Sequence, residues 1–439
     1  MSMKSRQFLH SDGRPFSLNR IAVHGCSRSH FIQSGLGFLL AICLAFHPAR
    51  MQALRPHPSP PRSYDIQPPV RIPVAPLGFL PPGELPEFSH YSLVNLRFID
   101  ANHLLFVFNT AALLHRDEDC SKTDAERLVR AVVLEIPSGR VEKQNEWKLY
   151  DFSDFLWPLR NGRFLLRRCS QLEQVDASLV PRPFVNFAGT LETIIFSPDR
   201  SVVLVEEKPE PSPPKAQPAP AAAADAPPQM LNLDFIRVDP IGIIGRVRAQ
   251  VPLDIPVLAQ GFLETLGAPH DRWDVTLRSF DGSRRQVAQI HSTCAPRLTT
   301  LANTVFVADM CLNYKQIAYQ AFNLQGALLW QKLVAPDRYS PRFLLTQDGA
   351  HFAIESLHAT RPLTSLDSLD NQSIDAQIVD IYDTLSGALI ASIPASPVYT
   401  AGTNVDFSPD GTRVAVLQDG AIVIYTLNQL ANQQRSASR

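Results

Sequence analysis

The last apolar stretch of the chain, FSPDGTRVAVLQDGAIVIYTL (residues 407–427), constrains the fold more than any other. It turns at two Asp-Gly pairs, and the strands between them show no alternation of polar and apolar residues. In FSPDG, Ser408 suits the first position of a type I turn, Pro409 presets the second and Gly411 suits the fourth. Short strands that are apolar throughout need packed neighbours on both faces. FSPDRSVVLV (196–205) repeats the device with Arg200 in the glycine's place, and LTQDGAHFAI (345–354) keeps the Asp-Gly. Weaker versions at 98–108, 159–166, 258–266 and 301–308 bring the hairpins to seven.

A second series of turns carries glycines at 139, 242, 282, 326 and 387, spaced 103, 40, 44 and 61 residues apart. Two low-complexity insertions distort the spacing: the Pro/Ala tract 209–228 and the segment 359–375. Without them one period of about 42 residues covers the chain from 91 onward, the spacing of four-stranded propeller blades. The expected fold is all-β: a single seven-bladed β-propeller of four-stranded antiparallel blades, with 209–228 as a disordered loop inside it. A pair of β-sandwich domains would instead alternate on its outer faces. No apolar run follows 427, so the last blade has three strands of its own, 403–408, 412–418 and 421–427. Its outer strand is expected from DIQPPVRIPV (65–74), where prolines suit an edge. Residues 429–439 form a disordered tail.

The FSPD turns at 196–199 and 407–411 resemble those of the WD-repeat-like propellers of bacterial envelope proteins, TolB-type periplasmic propellers among them. None of the tryptophans (147, 157, 273, 330) lies in a Trp-Asp signature, and GALLWQK (326–332) also echoes the blades of quinone-dependent dehydrogenases. The resemblance implies a fold and an envelope location, and it names no ligand.

The N-terminus points to the same compartment. Residues 1–53 hold six basic residues against one acidic, Asp12, and lead into the uncharged run GLGFLLAICLAF (35–46). This is the layout of a secretory signal peptide. An uncleaved anchor through 31–46 is the rival reading, although twelve residues are short for a span. Residues 54–90, rich in proline, form an extended tether that includes the closing strand. The expected location is periplasmic or secreted, or membrane-anchored facing the outside. The remainder of the chain is slightly acidic and lacks the basic stripe of a nucleic-acid surface.

Few residues announce chemistry. There is no G-x-S-x-G elbow and no H-E-x-x-H, and His351 and His358 stand at opposite parity on one strand. The acidic segments 115–120 and 367–375 lack the ligand spacing of a calcium loop. No metal and no cofactor are therefore expected. The candidate binding residues of the channel rim are Asp154, Arg297 and Arg342, at the starts of innermost strands, and Arg167 and Arg168 beside Cys169, which either hold an anion or form a surface cation pair. Three insertions, 111–128, 208–229 and 359–375, fall between second and third strands and so decorate one face, where binding usually resides. The leading expectation is a non-catalytic, monomeric interaction platform that takes a protein or small-ligand partner on that face. The alternative is a channel enzyme, a lactonase-like hydrolase or a quinone-dependent oxidoreductase. Cys120, Cys169, Cys294 and Cys311 fall on the same face in two adjacent pairs, so the expected disulfides are Cys120–Cys169 and Cys294–Cys311.

Overall fold

The apolar runs form strands that are buried on both faces. His103–Asn109, Val202–Lys208 and Arg413–Gln418 are each almost wholly buried, and Leu104, Phe106, Leu204 and Val416 are inaccessible to solvent. Each is the second strand of a four-stranded antiparallel sheet. Exposure rises outward, so that the fourth strand Val141–Leu149 carries six exposed residues before Trp147. The structure, a computed structural model, describes residues 70–79, 94–110, 127–149, 154–168, 171–209, 230–249, 255–313, 316–363, 373–398 and 404–427. The segment 1–53, the tail 429–439, Cys120 and Cys169 lie outside the described residues.

Seven such sheets follow one another: blade one at 95–149, two at 156–186, three at 190–249, four at 257–291, five at 297–333, six at 338–395 and seven at 405–426. Blade seven has three strands from this run, Val405–Phe407, Arg413–Gln418 and Ala421–Thr426, and its fourth is Val70–Pro73, paired from Val70↔Ile424 to Pro73↔Ala421. Each junction between consecutive blades holds an apolar cluster. Blade seven meets blade one through Ala415, Leu417, Ile422 and Ile424 against Leu96, Leu104, Phe106 and Phe108. Comparable clusters join one to two, two to three, three to four, four to five, five to six and six to seven. A buried Phe or Leu contributes about 1.5–3 kcal/mol, so these junctions, not the hairpins alone, stabilise the ring. Ile72, Val74 and Phe79 join the seven–one cluster, with Phe79 edge-on to Phe106 at 5.4 Å. Part of the proline-rich segment is therefore core.

The turns into the second strands share one frame. In blade seven, Ser408 Oγ accepts from the Arg413 amide at 2.9 Å and donates to Asp410, which in turn accepts from the Thr412 amide at 3.1 Å. Blade three repeats this with Ser197, Asp199, Ser201 and Val202. Blade six uses Thr346, whose Oγ1 accepts from the His351 amide, and Asp348, which accepts from the Ala350 amide. The last turn residue has positive φ in all three: Arg200 (61°), Gly349 (69°) and Gly411 (66°).

Blade two breaks the glycine series because its outer turn uses Leu179, at φ 63°, capped by Asp176. The Leu179 carbonyl accepts from the Trp147 indole at 3.1 Å, locking the turn to blade one. In blade three the turn lies at Asp239–Pro240, and Gly242 sits inside the strand Ile241–Ala249. The long connections after Asn109, Lys208 and Ala359 all leave a second strand and return as a third, in blades one, three and six. The strand ends they leave from and return to, with those joined by the inter-blade connections, define the loop face; the opposite ends carry the other turns and define the turn face.

Candidate functional site: the ring axis

The innermost strands bring charge to the axis. Arg97, on Asn95–Phe98 of blade one, and Asp406, on Val405–Phe407 of blade seven, pair at 3.3 Å with side-chain exposures of 7% and 16%. The Arg97 guanidinium also donates to the Leu156 carbonyl of blade two at 3.3 Å, and the Phe98 amide donates to Asp406 at 2.8 Å. Burial lowers the Arg97 pKa and raises that of Asp406, in each case outweighing the pull of the partner charge. The pair therefore specifies an arrangement rather than adding much stability.

A second pair crosses the ring. Arg342, on Arg338–Leu345 of blade six, reaches Asp154, at the start of blade two's first strand, at 3.3 Å. Blades six and two are not neighbours, so the two side chains meet over the axis. Glu355 stands opposite Arg342 on the paired strand and is 5% exposed. Burial, against the nearby Arg342 charge and a Gln377 hydrogen bond, pushes its carboxyl up to about 6. Gln377 donates to Glu355 and to Asn404 at 3.3 Å, and Asn404 donates back to Gln377 at 3.0 Å, linking blade six to the start of blade seven. Glu355 Oε2 is buried without a hydrogen-bond partner among the described residues. Arg200 completes the set from blade three, its guanidinium 5.8 Å from the Phe196 ring centroid.

Of the residues singled out in the sequence, Asp154 and Arg342 come together at the axis. Arg297 faces Asp309 on the paired strand of blade five. Arg168 forms a two-pronged ion pair with Glu173 inside blade two, and Arg167 donates to the Leu191 carbonyl of blade three at 2.6 Å, so both brace blade two. Cys294 and Cys311 are joined in a disulfide, with 5.5 Å between their Cα atoms. Arg97, Asp406 and Glu355 belong to no motif, and Arg200 stands out in the sequence only as the replacement for a turn glycine. The legible signal was a lone charge inside an otherwise apolar innermost strand, NLRF and NVDF.

On the turn face, a cavity of ≈ 650 Å³ opens between the turns of blades six, seven, one and two, bordered by Ile99, Asp100, Gly162, Asp176, Gln347 and Asp410. Its carboxylates are engaged locally: Asp410 with Ser408 and Thr412, Asp176 with Ser178, and Asp100 with His103 at 2.9 Å. Among the described residues no three His, Cys, Asp or Glu side chains gather as metal ligands.

No protein-family model and no curated protein matches the sequence. Solved structures do match. An acylaminoacyl peptidase of Pyrococcus horikoshii aligns with 79% of this chain at TM-score 0.47 and 11% identity, the alignment spanning 54% of that chain, about half its length. The β-propeller domain of the trilobed protease of Pyrococcus furiosus aligns over 76% of this chain and 95% of its own, at TM-score 0.45 and 8% identity. The WD40 domain of Toxoplasma gondii coronin aligns over 81% and 83%, at TM-score 0.42 and 8% identity. Likeness of this degree carries no argument, and the seven-bladed propeller rests on the sheet order and junctions above.

Proposed function

We propose that the chain is an exported, non-catalytic propeller of the cell envelope that binds a protein or small-ligand partner on its loop face. One observation carries this reading: the axial charges are bonded to one another across the ring, Arg342 of blade six to Asp154 of blade two and Arg97 of blade one to Asp406 of blade seven. Groups held this way brace a scaffold, whose elaborated loops are then the variable surface. The strand ends from which the three long connections of blades one, three and six leave lie on that face. The pairing of Val70–Pro73 with Ala421–Thr426 would close the ring, and the basic start followed by the 35–46 run supports a cleaved export signal or an anchor, with TolB-type envelope propellers as the resemblance. The test is co-purification from the native host's envelope fraction with wild type and with a chain whose 210–229 and 364–372 segments are replaced by short Gly-Ser turns. A partner retained by wild type and lost from the loop-replaced chain supports the platform; full recovery of an intact Met1 chain from cytosol contradicts it.

A channel enzyme is the second reading. It is favoured by the Glu355 carboxyl, held near 6 beside Arg342 and able to exchange a proton near neutrality. Hydrolysis of a lactone by wild type, abolished in Glu355→Gln, would move the assignment there.

A further inference from the structure

The turn of blade three departs from its sisters at one residue. Where blades six and seven place Gly349 and Gly411, blade three places Arg200 at φ 61°, a conformation strained for any residue with a Cβ. The side chain does not relieve that strain with hydrogen bonds, for the guanidinium makes none, and no ion pair, among the described residues. It lies over Phe196, whose ring is 6.4 Å from that of Trp157 on blade two. It reaches far enough inward to feel the charges of Arg97 and Asp406, and burial, ahead of the repulsion from Arg97, lowers its pKa to about 10. Asp199 and Asp406 lie close enough to favour its charge, but neither bonds to it. Asp199 is bonded to Ser197, to Ser201 and to Arg160 of blade two at 2.6 Å, while Asp406 is bonded to Arg97 and the Phe98 amide. The side chain is half-buried, and its five N–H donors, claimed by no protein acceptor among the described residues, are open to a ligand oxygen.

We infer that Arg200 anchors an oxyanion site inside the ring, and that the ligand is an organic carboxylate with an apolar body. The planar guanidinium fork matches a carboxylate with two parallel hydrogen bonds. Phe196 and Trp157 offer the body of such an acid an apolar wall that a hydrated phosphate cannot use. The Arg160–Asp199 contacts, including the 2.7 Å bond from Arg160 Nε to the Asp199 carbonyl, hold the backbone before Arg200 in place whether or not a ligand is bound. The inference stands independently of the platform reading, since it concerns the axis and not the loop face.

The experiment is calorimetric titration of the full chain with benzoate and, in parallel, inorganic phosphate, using wild type, Arg200→Gly and Arg200→Lys. Glycine is what the sister turns carry, so Arg200→Gly should fold, and a thermal melt checks this. The expected result is benzoate bound by wild type more tightly than phosphate, weakened about tenfold or more by Arg200→Gly, and less strongly weakened by Arg200→Lys, which keeps the charge without the fork. Absence of benzoate binding to wild type, equal binding by folded Arg200→Gly, or phosphate bound at least as tightly as benzoate would each overturn it.

Discussion

Blades three and seven enter their second strands through the same hydrogen-bonded turn, yet they hand opposite charges to the axis from opposite ends of the motif. In DFSPDG of blade seven the charge is Asp406, ahead of Phe407, and the last turn position is Gly411. In IFSPDR of blade three the position ahead of Phe196 is Ile195, packed among apolar residues, and the charge is Arg200 at the strained last position. The Ser and Asp of the turn fix the backbone in both. The flanking positions are left free to carry charge, so equivalent turns differ in what they give to the interior.

The largest effect should come from the negative contribution of blade seven. Asp406→Ala leaves Arg97 buried without its carboxylate and should cost about 3–5 kcal/mol in urea unfolding. A loss below about 1 kcal/mol would mean that the pair does not form.

Next is the pH response of the cluster facing Glu355, which comprises Arg342, Asp154, Arg97 and Gln377. The folded pKa lies above the unfolded value of 4.5, so the contribution is fully present below about pH 4.5 and is lost as pH rises through about 6. The difference in stability between wild type and Glu355→Gln should therefore shift against wild type by about 2 kcal/mol over that window. A constant difference would contradict the buried placement of the carboxyl.

The shared frame is tested by Ser197→Ala and Ser408→Ala. Each removes the acceptor of one backbone amide, Val202 or Arg413, and the two should cost similar amounts, about 1–2 kcal/mol. Unequal losses would break the equivalence of the turns. Smaller still are changes at the last turn position. Arg200→Gly should be neutral or stabilising by up to about 1 kcal/mol, whereas Gly411→Ala should destabilise, because an added Cβ would lie 3.0 Å from Asp348 Oδ2 at φ 66°.

The ring was legible in the sequence because its determinants are local. Ser, Pro, Asp and Gly at fixed offsets specify turns, and two-sided apolar runs such as VVLV and VAVL specify strands covered on both faces. The period was blurred where the turn residue is Leu179 rather than glycine, a conformation fixed by Asp176 and by the Trp147 contact from the neighbouring blade. The axial cluster was only half legible. Asp154 and Arg342 stand near strand starts and were singled out, but Arg97, Asp406 and Glu355 acquire their role from registers such as Arg342↔Glu355 and from blades distant in sequence. Arg200 was noticed as a glycine replacement; that its guanidinium turns inward over Phe196 is a property of the assembled ring.

One contact joins non-adjacent blades over the shared axis of the ring: Arg342 with Asp154, 188 residues apart. A double-mutant cycle with Arg342→Gln, Asp154→Asn and the double variant, read by urea unfolding at low salt and neutral pH, measures it directly. The closed, charge-braced ring predicts a coupling energy of about 0.5–1 kcal/mol between the two sites. Strict additivity of the two single changes would contradict it.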